Sequence, residues 1–318
     1  MGGNGPDITG STLAPEEAFG ALGNGIRIDI LRILGDAETS LPFSDLRTEV
    51  GVDDPGRFNY HLNQLSGHFV EQDDAGYRLK RPGERVIEAV LSGAVTETPV
   101  IERTQIDWAC HFCHSTPIEM EYRDGQIGVY CTDCPGMYGG IDDIEADVPP
   151  SERNRLWYAW LPPAGIKGRS PEEVLYASAR WTMAEIVTST SGICPSCSAP
   201  LGDGVDVCIN HDTADGLCSA CDRRFAVLYW MGCTNCVFDS AISLGTALVA
   251  NLELRSFMIE HGLDPVAPKS PDFRRMIHQF DEEVRSTDPL EARITYHVDD
   301  HSIALTVDES LNVVDVAR

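Results

Sequence analysis

The stretch from Cys194 to Cys236 constrains the fold of this chain more than any other, because it holds four short pairs of potential metal ligands. The pairs are Cys194 and Cys197, Cys208 and His211, Cys218 and Cys221, and Cys233 and Cys236. Two residues separate the members of each pair, which lets both side chains of a tight turn face one ion. Two pairs complete a tetrahedral zinc shell, so the stretch predicts two such shells.

Ligand spacing alone does not fix which pairs share an ion. A sequential arrangement would place one zinc on Cys194, Cys197, Cys208 and His211, and another on Cys218, Cys221, Cys233 and Cys236. A cross-braced arrangement, as in RING fingers, would instead join the first pair to the third and the second to the fourth. The segment between His211 and Cys218 is longer than RING fingers prefer. We therefore favour sequential pairing, in which each gap within a site forms a short hairpin.

A smaller cluster precedes this stretch and has the layout of a zinc ribbon. Cys110 and Cys113 are separated from Cys131 and Cys134 by 17 residues, in which apolar and acidic side chains alternate before a turn at Asp124–Gly125 and apolar residues return after it. Four cysteines close a tetrahedral shell and leave no position for substrate, which favours a structural role over catalysis. A redox thiol pair is the alternative, but the strand–helix setting of such motifs is missing here.

All eleven cysteines belong to these two clusters, so none remains as an isolated nucleophile. Because the ligand shells are closed and no nucleophile–base motif is present, we expect the protein not to be an enzyme. The cofactor expected is structural zinc, two or three ions in all.

The chain is strongly acidic, with 50 acidic residues against 24 basic ones, a formal charge of -26 and only three lysines. A dispersed acidic excess with so little lysine resembles the proteomes of salt-loving organisms. At molar salt the Debye length falls to about 3 Å, so repulsion between an acidic protein and DNA is largely screened. The acidic composition therefore does not exclude a nucleic-acid partner.

Helical periodicity dominates the N-terminal segment. It predicts two short helices before Gly35, a third over Phe43–Val50, and a fourth over 55–66, where Asp54 is a cap and Pro55 suits the first position. The apolar face of the fourth helix contains Phe58, His61, Leu62 and Leu65, with His61 as a packed core residue. Its opposite face presents side chains that can read base edges: Arg57, Asn59, Tyr60, Asn63 and Gln64.

A hairpin with its turn at Asp74–Gly76 follows. Arg78, Lys80 and Arg81 come directly after this turn, with Arg85 close behind. In so acidic a chain, this local basic excess is where phosphate contact is most plausible, and we expect Arg78, Lys80 and Arg81 to contact the DNA backbone.

The order of three helices, a turn, a helix, a hairpin and a helix resembles the winged helix-turn-helix of ArsR-type transcription regulators. The resemblance rests on Gly23-Asn24 with Arg27 and Ile30-Leu31, Phe43 with Leu46, Tyr60-His61-Leu62 with Leu65, and Phe69-Val70, and covers about a quarter of the chain. It implies that the helix over 55–66 reads DNA and that the protein is a homodimer. No cysteine lies in this segment, so metal sensing through that helix, as in some members, is not implied.

The remaining elements complete an α+β, multidomain plan. A capping box at Ser170 starts a helix over 171–188, with Trp181 on its buried side, and two helices and three strands (292–298, 302–307 and 311–317) form the C-terminal part. His297 and His301 flank a turn at Asp299–Asp300, which explains them better than metal binding. The predicted organisation is a disordered tail (1–13), a winged domain (14–93), a linker (94–107), a zinc ribbon (108–136), a bridge (137–192), a second zinc module (193–238) and a C-terminal segment of helices and a β-meander (239–318).

Together these features resemble ArsR-type regulators of halophilic archaea and predict a sequence-specific regulator that binds double-stranded DNA. The alternative resembles the general transcription factor TFE, which joins a winged domain to a zinc ribbon and acts mainly by contacting RNA polymerase. The N-terminus lacks a secretory signal and no apolar run is long enough to span a bilayer, so we expect a cytoplasmic, nucleoid-associated protein without membrane contact.

Overall fold

The computed structural model describes residues 12–137, 154–213, 216–265 and 278–318. The predicted disordered tail of residues 1–13 lies almost wholly outside this range. The chain divides into two compact units, residues 1–97 and 98–318. Within the described residues, helices alternate with four small antiparallel sheets, which confirms the predicted α+β class.

The first unit is helical with one small hairpin. Its elements are α1 (Pro15–Leu22), α2 (Gly25–Asp36), α3 (Phe43–Val50), α4 (Pro55–Leu65), β1 (Val70–Gln72), β2 (Tyr77–Leu79) and α5 (Arg81–Leu91), in the predicted order. The Asp54 carboxylate accepts hydrogen bonds from the N–H groups of Gly56 and Arg57, which caps α4 as its sequence predicts.

Helices α2, α3 and α4 pack around one apolar core, to which Leu31, Leu46, Phe58 and Leu62 each contribute a fully buried side chain. His61 is only 8% exposed, which confirms its prediction as a core histidine. Gly76 allows the β1–β2 hairpin to lie directly against the Leu41 backbone. A Cβ at this position would overlap the Leu41 carbonyl, whose residue bridges to Tyr77.

The second unit begins with a four-stranded antiparallel sheet. Its strands are β3 (Ile101–Ile106), β4 (Ile118–Arg123), β5 (Gln126–Cys131) and β6 (Arg155–Trp160), adjacent in that order. The central pair is the predicted hairpin, but both outer strands correct the prediction, since residues 101–106 were assigned to a linker and 155–160 to a bridge. Neither strand alternates cleanly between buried and exposed residues: three of six in β3 are exposed with only Ile106 buried, and three of six in β6 are buried with only Trp160 exposed.

Helix α6 (Pro171–Thr190) follows, and its Ser170–Glu173 capping box is formed as predicted. Val174, Leu175 and Ile186 are buried, but Trp181 is 48% exposed and does not belong to the core. The next sheet contains β7 (Leu201–Val207), β8 (Val227–Cys233) and β9 (Asp239–Ser243). Gly202–Gly204, expected within a hairpin between Cys197 and Cys208, instead lies inside β7.

Two short helices, α7 (Leu244–Ala247) and α8 (Leu252–Glu260), lead to a meander of four strands: β10 (Phe280–Thr287), β11 (Leu290–Val298), β12 (His301–Val307) and β13 (Val313–Ala317). Strands β11, β12 and β13 confirm the three strands predicted at 292–298, 302–307 and 311–317. The helix predicted to run from Ser270 to Phe280 lies mostly outside the described residues, and Phe280 itself begins β10. Nowhere in the described part of the chain is a helix both long and apolar enough to cross a membrane.

Candidate metal centres and candidate nucleic-acid interface

The first candidate metal site, called the first site below, contains the four predicted cysteines, Cys110, Cys113, Cys131 and Cys134. The β4–β5 hairpin assembles it, because Ile118 pairs with Cys131 and so brings the chain before β4 close to the chain after β5. The Sγ atoms of Cys110 and Cys134 are 3.7 Å apart, and those of Cys113 and Cys131 are 3.5 Å apart. A tetrahedron with Zn–S bonds of about 2.3 Å has edges of about 3.8 Å, whereas a disulfide bond is about 2.05 Å long. The spacing therefore fits a metal shell.

One backbone turn recurs at three of the cysteine pairs. In each, the N–H of the first cysteine donates to the carbonyl five residues later, at Ser115, Ala199 or Arg223, over 2.8 to 2.9 Å. The fourth residue after that cysteine adopts a left-handed conformation, with φ of 63° at His114, 62° at Ser198 and 54° at Asp222. Such a turn points backbone N–H groups at sulfur, as from Phe112 to Cys110 over 3.4 Å. This turn explains why two residues separate the two cysteines of each of these pairs.

The second cysteine-rich stretch forms two sites whose pairing corrects the prediction. The second site joins the outermost pairs and contains Cys194, Cys197, Cys233 and Cys236. The third site joins the inner pairs and contains Cys208, His211, Cys218 and Cys221. This nested arrangement is neither sequential nor cross-braced. The cause is the β7–β8 ladder, which runs from Leu201 opposite Cys233 to Val207 opposite Val227 and separates the two sites by its length.

Distances within both sites again fit metal shells. In the second site the Sγ atoms of Cys194 and Cys236 are 3.6 Å apart, and those of Cys197 and Cys233 are 3.5 Å apart. In the third site Cys208 and Cys218 are 4.0 Å apart. Each site therefore brings four ligand atoms together, and each set matches the thiolate and imidazole chemistry that zinc prefers.

His211 turns a defined nitrogen toward the third site. Its Nδ1 lies 3.4 Å from the Cys221 Sγ, and its Nε2 lies 3.1 Å from the Arg224 carbonyl oxygen. A carbonyl only accepts hydrogen bonds, so Nε2 carries the proton and Nδ1 has a free lone pair. Metal-binding histidines commonly use such a backbone partner to fix ring orientation and tautomer.

Each site also contains one thiol that ionises readily. A hydrogen bond with Cys134 lowers the pKa of Cys110 to about 5. The Asp212 N–H lowers the pKa of Cys218 to about 6, and the Cys236 N–H does the same for Cys233. Burial has the opposite effect on Cys131 and Cys208, whose pKa values rise to about 11. Metal binding requires thiolates, so the low pKa values of Cys110, Cys218 and Cys233 favour metal binding at each site.

The predicted base-reading residues share one face of α4. Every one of them is exposed, including Tyr60 at 60%: Arg57, Asn59, Tyr60, Asn63 and Gln64. The buried residues Phe58, His61, Leu62 and Leu65 occupy the opposite face. At about 100° per residue, the exposed set spans an arc of roughly 160° that faces away from the core.

The cations predicted to contact phosphate have partners in the structure. Arg78 forms ion pairs with Glu71 at 2.7 Å and Asp73 at 3.5 Å. Lys80 Nζ donates to the Gly67 carbonyl over 2.7 Å. Arg81 likewise bridges Glu84 at 2.6 Å and Glu88 at 3.4 Å. The sequence prediction counted only Glu84 as opposing this local basic excess, and did not identify Glu71, Asp73 and Glu88 as further carboxylate partners.

A comparison with family models finds "Domain of unknown function (DUF7351)" over residues 107–313, which is more than half of the chain. The chain belongs to this family. A second model, "Domain of unknown function (DUF7347)", matches residues 15–90. No curated protein and no solved structure matches the chain. All twelve candidate metal ligands lie within the DUF7351 match, and α4 with the β1–β2 hairpin lies within the DUF7347 match.

The DUF7351 region contains a cleft of about 1010 Å³ that the sequence prediction missed. Phe112, His211, Arg224, His261 and Glu282 are among its lining residues. These side chains come from distant parts of the chain, so no local pattern could have placed them together. The adjacent pair Arg223-Arg224 is only a weak signal, because Arg274-Arg275 is a second such pair in the sequence.

Two further features of this region concern charge. Burial lowers the pKa of Arg224, and the four thiols of the first site oppose that shift. The His297 Nε2 lies within hydrogen-bond distance of the Asp281 carboxylate, at 2.8 Å, and Asp299 has a φ of 51° in the turn between β11 and β12. The hairpin interpretation of His297 and His301 is therefore confirmed.

Proposed function

We propose that this protein is a sequence-specific, DNA-binding transcription regulator whose α4 enters the major groove, while three zinc ions stabilise the larger unit. The observation that carries the proposal is the division of α4 into a buried apolar face and an exposed face with five polar side chains. Asn and Gln can form paired hydrogen bonds with adenine, and Arg with guanine. Asn63, Gln64 and Arg57 supply this chemistry on one face.

The surrounding elements support a winged helix-turn-helix of ArsR type in the first unit. Helix α3 precedes α4 across a short turn at Gly51, and the β1–β2 hairpin follows directly. That order would place a recognition helix and a wing on the same chain segment. In such an arrangement a homodimer would read two half-sites, one with each copy of α4.

The ion pairs on the hairpin and at the start of α5 do not prevent phosphate contact. Exposed salt bridges contribute only about 0 to 1 kcal/mol, because two solvated side chains must be held in one geometry. A DNA phosphate could therefore replace Glu71 as the partner of Arg78, or Glu84 as the partner of Arg81. Lys80 would need to leave the Gly67 carbonyl.

The zinc assignment rests on the ligand shells. Two sites offer four cysteines and one offers three cysteines with a histidine, all at distances that fit tetrahedral coordination. Four protein ligands leave no open position, so the metals would stabilise the fold and take no direct part in chemistry. This supports a regulator and not a zinc hydrolase.

A second candidate, a polymerase-contacting factor resembling TFE, is favoured by one observation. Arg78 and Arg81 are compensated by carboxylates on their own unit, which leaves the hairpin with less positive charge for DNA than the sequence suggested. Such a surface is better suited to a protein partner than an uncompensated basic patch would be.

Selection from a pool of random duplexes separates the two candidates. The full-length, zinc-loaded chain is incubated with the pool at stated, high salt, because affinities for DNA depend steeply on ionic strength. Recovery of one recurrent sequence is expected for the regulator. Recovery of no preferred sequence, together with co-purification of RNA polymerase, would contradict it and favour the second candidate.

A further inference from the structure

Arg224 lies between the first and third metal sites and has contacts with both. Its guanidinium is 4.1 Å from the ring centroid of Phe112, which stands between Cys110 and Cys113. Its Nε donates to the Gly136 carbonyl over 3.0 Å, two residues after Cys134. The backbone N–H of Arg224 donates to the Met137 carbonyl over 3.2 Å. The two side-chain contacts place the guanidinium next to segments that adjoin both cysteine pairs of the first site, and the backbone contact holds the main chain of Arg224 there.

The charge of Arg224 has no carboxylate partner among the described residues, where its side-chain contacts are the Gly136 carbonyl and the Phe112 ring. Its neighbour Arg223 differs, since it pairs with Asp206 at 2.6 Å. The four cysteines of the first site raise the pKa of Arg224 and so oppose the lowering by burial, which places this guanidinium within their electrostatic reach. A zinc ion with four thiolates has a formal charge of about -2, so a half-buried guanidinium beside it is a fitting counter-ion.

The main chain of Arg224 belongs to the third site. His211 Nε2 donates to its carbonyl, while His211 Nδ1 faces the ligand cluster. A bound metal fixes the imidazole ring, and the ring in turn holds the Arg224 backbone. Loss of the third metal would free the ring and loosen the backbone from which the guanidinium extends.

We propose that Arg224 couples the two metal sites, with its guanidinium compensating the charge of the first site and its carbonyl held by the histidine of the third. Metal loss at the third site should then make the first site more labile. Among the residues that the structure describes, no contact links the second site to Arg224, so this site serves as an internal control. The proposal rests on the metal sites and is independent of DNA binding.

Site-resolved alkylation tests the proposal in the full-length, zinc-loaded chain. Iodoacetamide is added with a competing chelator, and peptide mass spectrometry follows the modification rate of each cysteine. In Arg224→Gln, the four cysteines of the first site should react faster by on the order of 10-fold, the usual effect of losing a partner outside the ligand shell. Cysteines of the second site should keep their wild-type rates. Arg224→Lys retains the charge and should show a smaller increase.

Two results would overturn the counter-ion role. One is an unchanged rate at the first site in Arg224→Gln. The other is an equal acceleration at the second site, which would indicate general loosening of the fold.

The link to the third site is tested with His211→Cys. This variant keeps four ligands but removes the N–H that holds the Arg224 carbonyl, and native mass spectrometry counts its metals. With three zinc ions retained, it should still accelerate alkylation at the first site. Adding Arg224→Gln should increase the rate no further than Arg224→Gln alone, because both changes break one connection. If the two substitutions instead multiply each other's effect on the alkylation rate of the first site, the result would contradict the coupling.

If His211→Cys loses the third metal, a second pair of variants tests the same coupling. Cys208→Ser removes a ligand of the third site and Cys197→Ser removes one of the second site. Acceleration at the first site is expected only from Cys208→Ser. Equal effects of the two variants, or no effect of either, would overturn the coupling.

Discussion

Leu201 and Cys233 face each other across the β7–β8 ladder, and this register determines how the eight ligands of the second stretch are divided. Cys197 lies just before β7 and Cys233 ends β8, so the outermost pairs meet at one end of the ladder. Cys208 follows β7 and Cys221 precedes β8, so the inner pairs meet at the other end. One candidate metal site therefore lies at each end of the β7–β8 ladder.

The nested pairing predicts which cysteines depend on one another. Cys197→Ser should reduce the bound zinc by one ion and expose Cys194, Cys233 and Cys236 to alkylation, because they share its site. Cys208 should keep its wild-type reactivity. Native mass spectrometry and peptide mapping measure both effects. Increased reactivity of Cys208 without that of Cys233 would instead indicate the sequential pairing.

Metal removal should affect the two units differently. A structural zinc typically contributes on the order of 10 kcal/mol of apparent binding free energy, and all three candidate sites lie in residues 98–318. Strong chelation should therefore make that unit sensitive to protease, while residues 15–91 retain their helices. Limited proteolysis with mass mapping provides the readout. Protection of the second unit after complete metal loss would contradict a structural role for zinc.

The fold was predictable where its signals are local. Helix α4 is set by a cap at Asp54, a proline at position 55 and apolar spacing, and the first metal site by two cysteine pairs around an alternating hairpin. These patterns act within one or two elements. The sequence could therefore predict both the exposed face of α4 and the four ligands of the first site.

Other features depend on distant contacts. The nested pairing requires the register of β7 against β8, and the glycines in β7 suggested a turn instead. Strand β10 alternates only weakly in apolar character, with Glu282 on its inward side. Arg224 reaches the first site from 90 residues beyond Cys134, so spacing along the chain gave no indication of its position.

Core packing of α4 should dominate the stability of the first unit. Leu62 is fully buried, so Leu62→Ala should lower the free energy of unfolding by about 2 to 5 kcal/mol through lost burial and an internal cavity. Gln64→Ala on the exposed face is the matched control and should change it by less than about 0.5 kcal/mol. Chemical denaturation followed by circular dichroism measures both. Similar losses in the two variants would show that the assigned faces are wrong.

Glu282 should impose a pH dependence on stability. Burial raises its pKa to about 7 from a model-compound value of 4.5, so the folded chain retains a proton that the unfolded chain releases. Its contribution to stability therefore decreases as pH rises from 4.5 to about 7 and is constant above that range. Arg223 and Tyr296 are the charged or titratable groups that interact with this carboxyl.

Glu282→Gln removes this titration and should flatten the pH profile of the unfolding temperature relative to wild type. Glu283→Gln, at an exposed neighbouring position, is the control and should leave the profile unchanged. The difference between each variant and wild type is compared at matched salt and zinc, which cancels any common effect of acid on the metal sites. Parallel profiles for wild type and Glu282→Gln would refute the assignment.

The most direct test of the proposed function is the ratio of affinities for a selected operator and a random duplex, measured at high salt for wild type and for the double variant Asn63→Ala, Gln64→Ala. Each lost base contact should cost about 1 to 3 kcal/mol of discrimination, while phosphate contacts and the fold remain. We predict strong preference for the operator in wild type and nearly equal affinities in the double variant, with unchanged circular dichroism. Equal affinity of the wild-type chain for both duplexes would contradict sequence-specific recognition by α4.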